Sequence, residues 1–490
     1  MKALWTAEEA RRFDALVVEA TGLPSLILME NAGWGAFHAA LSMCPDASLV
    51  TVVCGPGQNG GDGWVVARLF AMETSAKVRV VTVGGLPRAD AKIQRNAVEG
   101  FLVPQASTSV QDEDLRALFD GSDIIVDAMF GTGLSREVGG EARRVVEGMN
   151  ASTTPVLALD LPSGLDANTG QRHGVCVHAK RTVTFGAEKR GLRTGHGVDM
   201  SGAIQVASLG FRVGFKTGLD ARASVLERSD ATIPLRRRQM HKGTAGRVGL
   251  VAGSPGMSGA AALCAQAAFR GGAGLVRLWS RGERHVGFPE LMHQPFEDAD
   301  RDALNDCHAI GIGPGVGQGD AAVIRHLVLE TDSPMVVDAD ALTCFAAEPE
   351  SLRARPHLVL TPHPGEASRL LGCDTQRVES DRFAAAEELA NSTGQVVVLK
   401  GACSIIASPG QSPRVCPFGS SALATAGSGD VLTGLIAALL VHLSPLEAAT
   451  TGVIVHALAG EHLKTDRGIL AREIADAVPA VMRELHAAAT

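Results

Sequence analysis

The stretch Cys54-Gly55-Pro56-Gly57-Gln58-Asn59-Gly60-Gly61-Asp62-Gly63 joins a β-branched run, Ser48–Cys54, to an apolar helical segment, Trp64–Met72. A glycine-rich turn between strand and helix is where open α/β sheets take up ligands. Glycine there permits positive φ and close backbone approach, and the helix start offers amides and partial positive charge to an anion. A tight turn with no ligand is the plainer alternative. Gly55, Gly57 and Gly60 also satisfy G-x-G-x-x-G, but the next strand, Lys77–Val83, ends in Gly84-Gly85 rather than in an acid for a ribose hydroxyl. That weakens a dinucleotide oxidoreductase, and the lack of any G-x-x-x-x-G-K-[ST] removes the ordinary P-loop NTPase.

Outward from this turn, the runs Lys77–Val83, Asp123–Ala128, Pro155–Leu161 and Arg181–Phe185 alternate with helical periodicity. Nearly continuous apolar strands in such alternation predict a parallel sheet covered on both faces. A second series follows at Arg247–Ala252, Leu275–Trp279, Ala309–Ile312, Met335–Asp338, His357–Leu360 and Val396–Leu399, with helices over Asp430–Leu443 and around Gly452–Leu463. Residues 212–243 are polar, include Arg236-Arg237-Arg238 and have little apolar periodicity. The expected organisation is two three-layer α/β domains, residues 1–215 and 236–490, joined by a linker at 216–235. A length of 490 residues favours at least two cores. The likeness between 54–63 and Gly311–Asp320 is no repeat, because the surrounding spacings disagree.

Composition narrows the function. The 45 Lys and Arg against 53 Asp and Glu give −8, which argues against a nucleic-acid partner. The opening segment lacks an apolar core of signal-peptide length, and Thr6 with Glu9 reads as a helix capping box. The longest uniformly apolar stretch, Leu435–Val441, falls far short of a bilayer span, so no membrane partner is expected. Nine scattered Cys with no C-x-x-C suit a reducing, cytoplasmic setting and read as core filler. Glycine is the anomaly, 56 residues where average usage is about 7%. Most of the surplus sits at strand ends.

Two further strand ends carry Asp127-Ala128-Met129-Phe130-Gly131-Thr132-Gly133-Leu134 and Asp160-Leu161-Pro162-Ser163-Gly164-Leu165-Asp166. Parallel strands place these ends on one rim, where Asn59, Asp127 and Ser163 can supply amide, carboxylate and hydroxyl oxygens to a hard cation. Taken singly, helix capping is the lesser alternative for Asp127 and for Asp160. Together with Ala67-Arg68 and the segment TVTFGAEKRGL from Thr182, these motifs resemble the NAD(P)HX epimerase domain over most of residues 1–212. The resemblance implies a Rossmann-like fold, K⁺ at Asn59, Asp127 and Ser163, and substrate at Gln58, Asn59, Gly60, Gly61 and Asp62. It also implies substrate at Gly131, Thr132, Gly133, Leu134, Ser135, Arg136, Glu137 and Asp160. Gln58 departs from the family's Asn, which touches one side-chain contact and leaves the glycines intact.

Near the C-terminus, Ala426-Gly427-Ser428-Gly429-Asp430-Val431-Leu432-Thr433-Gly434 runs into an apolar helix. Amides at that start can stabilise a transferring phosphoryl group, with Asp430 as base toward a hydroxyl; a capping Asp is the alternative. With His241-Lys242-Gly243, GSPGMSG from Gly253, GIGPGVG from Gly311 and TPHPGEASRLLG from Thr361, the region 230–490 resembles the ribokinase-like ADP-dependent NAD(P)HX dehydratases. That resemblance implies substrate near Ala261, Gly315, His363 and Asp430, nucleotide near Lys400, Gly401, Ala402, Cys403, Ser404 and Gly429, and Mg²⁺ with ADP as co-substrate. The family's usual GTGD reads Gly427-Ser428-Gly429-Asp430.

Both resemblances converge on one damaged metabolite, NAD(P)H hydrated at C6 of the nicotinamide ring. The first domain is expected to interconvert its R and S epimers, with Asp160 as acid/base and Lys189 as helper. The second is expected to phosphorylate the S hydroxyl and expel phosphate, Asp430 being the base. A homo-oligomer is the family habit. The rivals are a ribokinase-like kinase of a vitamin alcohol and a non-catalytic nucleotide sensor.

Overall fold

Parallel pairing of the β-branched runs organises the unit Ala3–Ala223. This computed structural model describes residues 1–99, 115–211, 221–282, 288–317 and 319–489; the part of the expected linker at 216–220 lies outside them. Six strands lie in the order Lys77–Thr82, Leu49–Cys54, Ile124–Ala128, Val156–Leu159, Arg181–Phe185, Ala203–Ala207, all parallel. Val50 and Val52 belong to a core with the helices Ala7–Thr21, Ser25–Met43 and Gln58–Glu73. Val53 and Ile125 pack on the other face with Leu115–Asp120 and Gly140–Ala151. Alternating residues of one strand thus fill two cores, giving the expected three layers.

Strand order reverses at Leu49–Cys54: the second strand lies on one side of it and the third on the other. Ligands bind at such switch points, outside the carboxyl ends. The expected capping box forms, Thr6 N–H donating to Glu9 Oε2 (2.7 Å) and Glu9 N–H to Thr6 Oγ1 (3.2 Å). Leu4 and Trp5 pair in parallel with Glu188 and Lys189.

The unit formed by Met1–Lys2 with Ser224–Thr490 repeats the principle. Its parallel strands run Met292–Pro295, Leu275–Ser280, Arg247–Val251, Ala309–Ile312, Met335–Val337, Leu358–Leu360, Val396–Leu399, reversing between Arg247–Val251 and Ala309–Ile312. Ile405–Ser408 and Gln411–Val415 add antiparallel strands, and Ser224–Val225 pairs with the latter. One face is covered by the helices Ser258–Arg270, Ser428–Leu440, Pro445–His462 and Ala471–Ala489.

Several helix starts differ from the sequence reading. The helix expected at Trp64 begins at Gln58, so Gly60, Gly61 and Gly63 lie in its first turns. None of the five glycines from Gly55 to Gly63 has positive φ, contrary to the expectation for this turn. Their role is close approach: a Cβ on Gly60 would collide with the backbone of Gly55, and one on Gly55 with that of Met129. Likewise the late helices begin at Ser428 and Pro445 rather than Asp430 and Gly452.

Gly60→Ala tests this. In an open helix the change gains about 1 kcal/mol, whereas overpacking against fixed backbone costs about 1–3 kcal/mol. Collision with backbone wins, so the variant is expected to unfold at lower urea. Tryptophan fluorescence follows it, since Trp5, Trp34 and Trp64 lie in this unit. An unchanged or higher midpoint contradicts the packing argument.

Candidate functional site

In the first unit the rim at the switch point is open. A cleft of about 450 Å³ is lined by Gly57–Asn59 and Asp62, by Met129–Arg136, by Asp160 and Lys189, and by Trp5, Arg11 and Asp14. Gln58 and Ser135–Glu137 are exposed, while Asn59, Gly60, Gly61 and Asp62 are buried. Glu137 is not among the lining residues.

Asp160 follows the strand Val156–Leu159 and takes φ +64°, as few residues other than glycine do. Leu161 N–H donates to Leu159 O (2.7 Å) across it, a three-residue turn that stores strain, and Asp160 N–H is fixed on Val183 O (2.7 Å). Its Oδ1 meets Lys189 Nζ at 2.5 Å and accepts from Thr184 Oγ1 at 3.2 Å. Lys189, 2% exposed, also donates to Thr184 Oγ1 (3.0 Å) and Phe185 O (2.9 Å). A buried ammonium so fully engaged holds one carboxylate in one orientation.

Two further carboxyl groups, Asp62 and Asp14, line the cleft around that pair, together with Arg11 and Arg136. Burial pushes Asp62 well above the carboxylate range, and the nearby Asp160 and Asp14 push the same way. Asp14 is open to solvent through the cleft, yet its walls push it up to about 6, with Asp160 adding to this and Lys189 opposing it. Asp14 went unmarked in the sequence, because an acid after Arg11-Arg12-Phe13 on an amphipathic helix reads as solvated face.

Asp127 and Ser163 touch directly. Ser163 Oγ donates to Asp127 Oδ1 (2.6 Å), Ser163 N–H to Oδ2 (2.8 Å), and Phe130 N–H to Ser163 Oγ (2.9 Å). Burial pushes Asp127 up to about 6 against these hydrogen bonds. Both polar atoms of the Asn59 carboxamide are buried without a partner. A Cβ on Gly131 would lie 3.5 Å from Asn59 Cγ and 3.2 Å from Asp160 Oδ2, so the three rim segments meet at Gly131. Among the described residues no group of three His, Cys, Asp or Glu could hold a metal. Amide, hydroxyl and carbonyl oxygens beside one carboxylate suit a hard cation instead.

In the second unit, Asp430 is the third residue of the helix Ser428–Leu440, whose cap Gly427 has φ +88°. Burial, reinforced by Asp338 and Asp340 against Lys400, pushes Asp430 up to about 6. Lys400 Nζ donates to Asp338 Oδ1 (2.6 Å) and lies 3.7 Å from Glu366 Oε2. Burial works against this ammonium, but Asp338 and Glu366 outweigh it and hold Lys400 above its ordinary value. Thr433 Oγ1 donates to Asp338 Oδ2 (2.6 Å), and a Cβ on Gly429 would lie 3.5 Å from Lys400 Nζ. Lys400, Gly429 and Asp430 are thus gathered around Asp338, which the sequence marks as a polar strand end on the expected binding rim. Thr433 entered the sequence reading only as part of the motif Ala426–Gly434, and the buried His456, which meets Ser428 O at 3.0 Å and is pushed down to about 4 by burial, had no signal there.

The remaining expected residues fall at different depths. Gly315 (φ +62°) lies at the switch point, its carbonyl accepting from Ser254 Oγ (2.8 Å). Ala261 is fully buried against Gly253, so its side chain faces protein. His363 caps the helix Pro364–Leu371: its Nδ1 accepts from Gly365 N–H (3.0 Å), and burial beside Lys400 and Arg369 lowers its basicity. Gly401 and Ala402 are exposed, Cys403 has φ +55°, and Ser404 Oγ donates to Gly401 O (3.2 Å).

Comparison with known proteins joins the two rims. The family profile described as YjeF-related protein N-terminus matches residues 25–191, and that of NAD(P)H-hydrate dehydratase matches 248–480. The chain is 39% identical to a bifunctional NAD(P)H-hydrate repair enzyme of Coxiella burnetii, covering 97% of this chain and 98% of that one. It is 37% identical to that of Escherichia coli, over 96% and 92%. Among solved structures, the ADP/ATP-dependent NAD(P)H-hydrate dehydratase of Bacillus subtilis, crystallised with ATP and Mg²⁺, is 32% identical, with a TM-score of 0.46, over 52% of this chain and 96% of that one. The chain belongs to the bifunctional NAD(P)H-hydrate repair enzymes.

Proposed function

We propose that the chain restores hydrated nicotinamide cofactors: the N-terminal domain epimerises R- and S-NAD(P)HX, and the C-terminal domain dehydrates the S epimer with ADP, giving NAD(P)H, AMP and phosphate. The observation that carries this reading is near-full-length identity to relatives of that activity, with a polar rim at the switch point of each sheet. The domain boundary is placed within 216–235, next to the division of the two compact units at Ala223 and Ser224.

In the dehydratase site, Asp430 takes the proton of the C6 hydroxyl as that oxygen attacks the terminal phosphate of ADP. A carboxylate near 6 is mostly ionised at neutral pH and is a stronger base than an ordinary Asp. The amides of Gly429 and Asp430 and the ammonium of Lys400 are assigned to the charge that builds on the phosphoryl group. Phosphate leaves where hydroxide could not, the ring nitrogen supplies electrons behind it, and loss of a proton from C5 completes the C5–C6 double bond. Gly315 and His363 are assigned to the substrate and Gly401–Ser404 to the nucleotide. Mg²⁺ would add positive charge at the phosphates when bound.

In the epimerase site, Asp160 is assigned the proton transfer at C6, with Lys189 fixing its orientation. Gln58–Asp62 and Gly131–Arg136 are assigned to the dinucleotide; Glu137, outside the cleft lining, is not. K⁺ at Asn59, Asp127 and Ser163 would fix the rim beside Asp160, and the unpartnered Asn59 carboxamide supports this assignment. Nine free cysteines support a reducing, cytoplasmic setting. Among the described residues no helix is long and apolar enough to cross a membrane.

Mixed NADHX epimers incubated with ADP should be consumed completely, read as recovered reduced-nicotinamide absorbance against an enzyme-free control. A stable phosphorylated product would support a kinase instead. Asp430→Asn is expected to lower ADP-dependent turnover by about 10²–10⁴-fold; wild-type turnover refutes its role. Wild-type dehydration should fall as pH drops below about 6, because the base must be ionised, and a rate indifferent to acid down to pH about 4 contradicts it. Asp338→Asn leaves Lys400 without its main partner and should cost about 3–5 kcal/mol in thermal unfolding. An unchanged midpoint shows that Asp338 is no brace.

A further inference from the structure

The N-terminal helix Ala7–Thr21 enters the epimerase cleft and has no part in the reading above. Its start is fixed by the Thr6–Glu9 capping box, by Ala7 N–H on Asn168 Oδ1 (2.8 Å) and by Arg222 N–H on Glu9 Oε1 (2.8 Å). On a helix so pinned, Ala10, Arg11 and Asp14 share one face, and all three line the cleft with Asp160 and Lys189. The charges of Lys189 and Asp160 both act on Asp14, and that of Asp14 acts on Asp62. Neither Asp14 nor Asp62 has a hydrogen bond among the interactions that shift it.

Position separates the carboxyl groups of the cleft. Asp14, Asp62 and Asp160 share it with Arg11, Arg136 and the buried ammonium of Lys189, and that ammonium is committed to Asp160 at 2.5 Å. Asp62 is 8% exposed, whereas Asp14 is solvent-accessible in the cleft. Two titratable groups whose surroundings drive them apart are the usual arrangement for acid and base in one site.

We propose that Asp14 is the proton donor of the epimerisation, acting with Asp160 as acceptor; this rests on the reading of the first domain as an epimerase. Asp160 takes the proton of the C6 hydroxyl as the C6–N1 bond breaks. The bonding pair goes to N1, where the proton of Asp14 arrives, and C6 becomes an aldehyde. After rotation about C5–C6, N1 adds to the other face of the carbonyl, N1–H returns its proton to Asp14, and the new alkoxide takes one from Asp160. No oxidant, reductant or added water is consumed.

The test follows R-NADHX to the epimer equilibrium in the full chain without ADP. Asp14→Asn is expected to lower kcat by about 100-fold or more with KM little changed. Wild-type kcat should decline as pH rises through about 6, the range in which Asp14, sharing the cleft with Asp62, Asp160, Lys189, Arg136 and its neighbour Arg11, gives up its proton. Asp14→Asn should lose that alkaline limb and Asp14→Glu should regain it. Tryptophan fluorescence checks that each variant's first unit is folded. Wild-type epimerisation by Asp14→Asn overturns the proposal, and so does a slowed variant that keeps the limb. If Asp160→Ala fails while Asp14→Asn does not, the epimerase reading stands without Asp14; if neither variant slows epimerisation, both assignments fall.

Discussion

A parallel sheet whose strand order reverses beside its first strand cannot close its carboxyl edge, because the loops leaving the two central strands turn to opposite faces. That constraint governs both units. In Ala3–Ala223 the opening lies between Leu49–Cys54 and Ile124–Ala128, and in the larger unit between Arg247–Val251 and Ala309–Ile312. Keeping the openings narrow requires backbone against backbone, which Gly55 and Gly60 supply in the first unit and Gly313 in the second, where a Cβ would strike Asp338 O. The glycine surplus is the sequence record of this geometry.

On these rims each unit sets a carboxylate against one buried ammonium. Asp160 with Lys189 and Asp338 with Lys400 are close pairs at 2.5 and 2.6 Å, withdrawn from water. Removing one member of such a pair is costly, so each ammonium is held in one place. The difference lies in what is fixed. Lys189 orients the carboxylate that faces the cleft, whereas Asp338 and Thr433 brace a lysine beside Gly429, next to Asp430, the proposed base. A strained Asp160 suits the first task, and a carboxylate raised by burial suits the second.

Much of this was legible in the sequence, because strand runs and strand-end glycines are local signals. Arg181–Phe185, Ala309–Ile312 and Val396–Leu399 coincide with their expected bounds. The start at Gln58 was not legible, since three glycines depress helix propensity and only tertiary packing makes those turns helical. The short strands Ile405–Ser408 and Gln411–Val415 were also missed, the second carrying Pro413. Of the charged groups, those on strand ends stood out. Asp14 did not, because a helix face becomes a site wall only once its neighbours are in place.

The central claim is a division of labour in which each rim performs one step and passes a free metabolite to the other. Trans-complementation measures it directly: Asp160→Ala and Asp430→Asn chains are mixed and given both NADHX epimers with ADP, fast enough that spontaneous epimerisation is negligible. Asp160→Ala alone should recover only the S fraction and Asp430→Asn alone next to none, while the mixture should recover all of the NADH. A mixture that stops at the S fraction, or an Asp160→Ala chain that consumes both epimers unaided, would contradict the account.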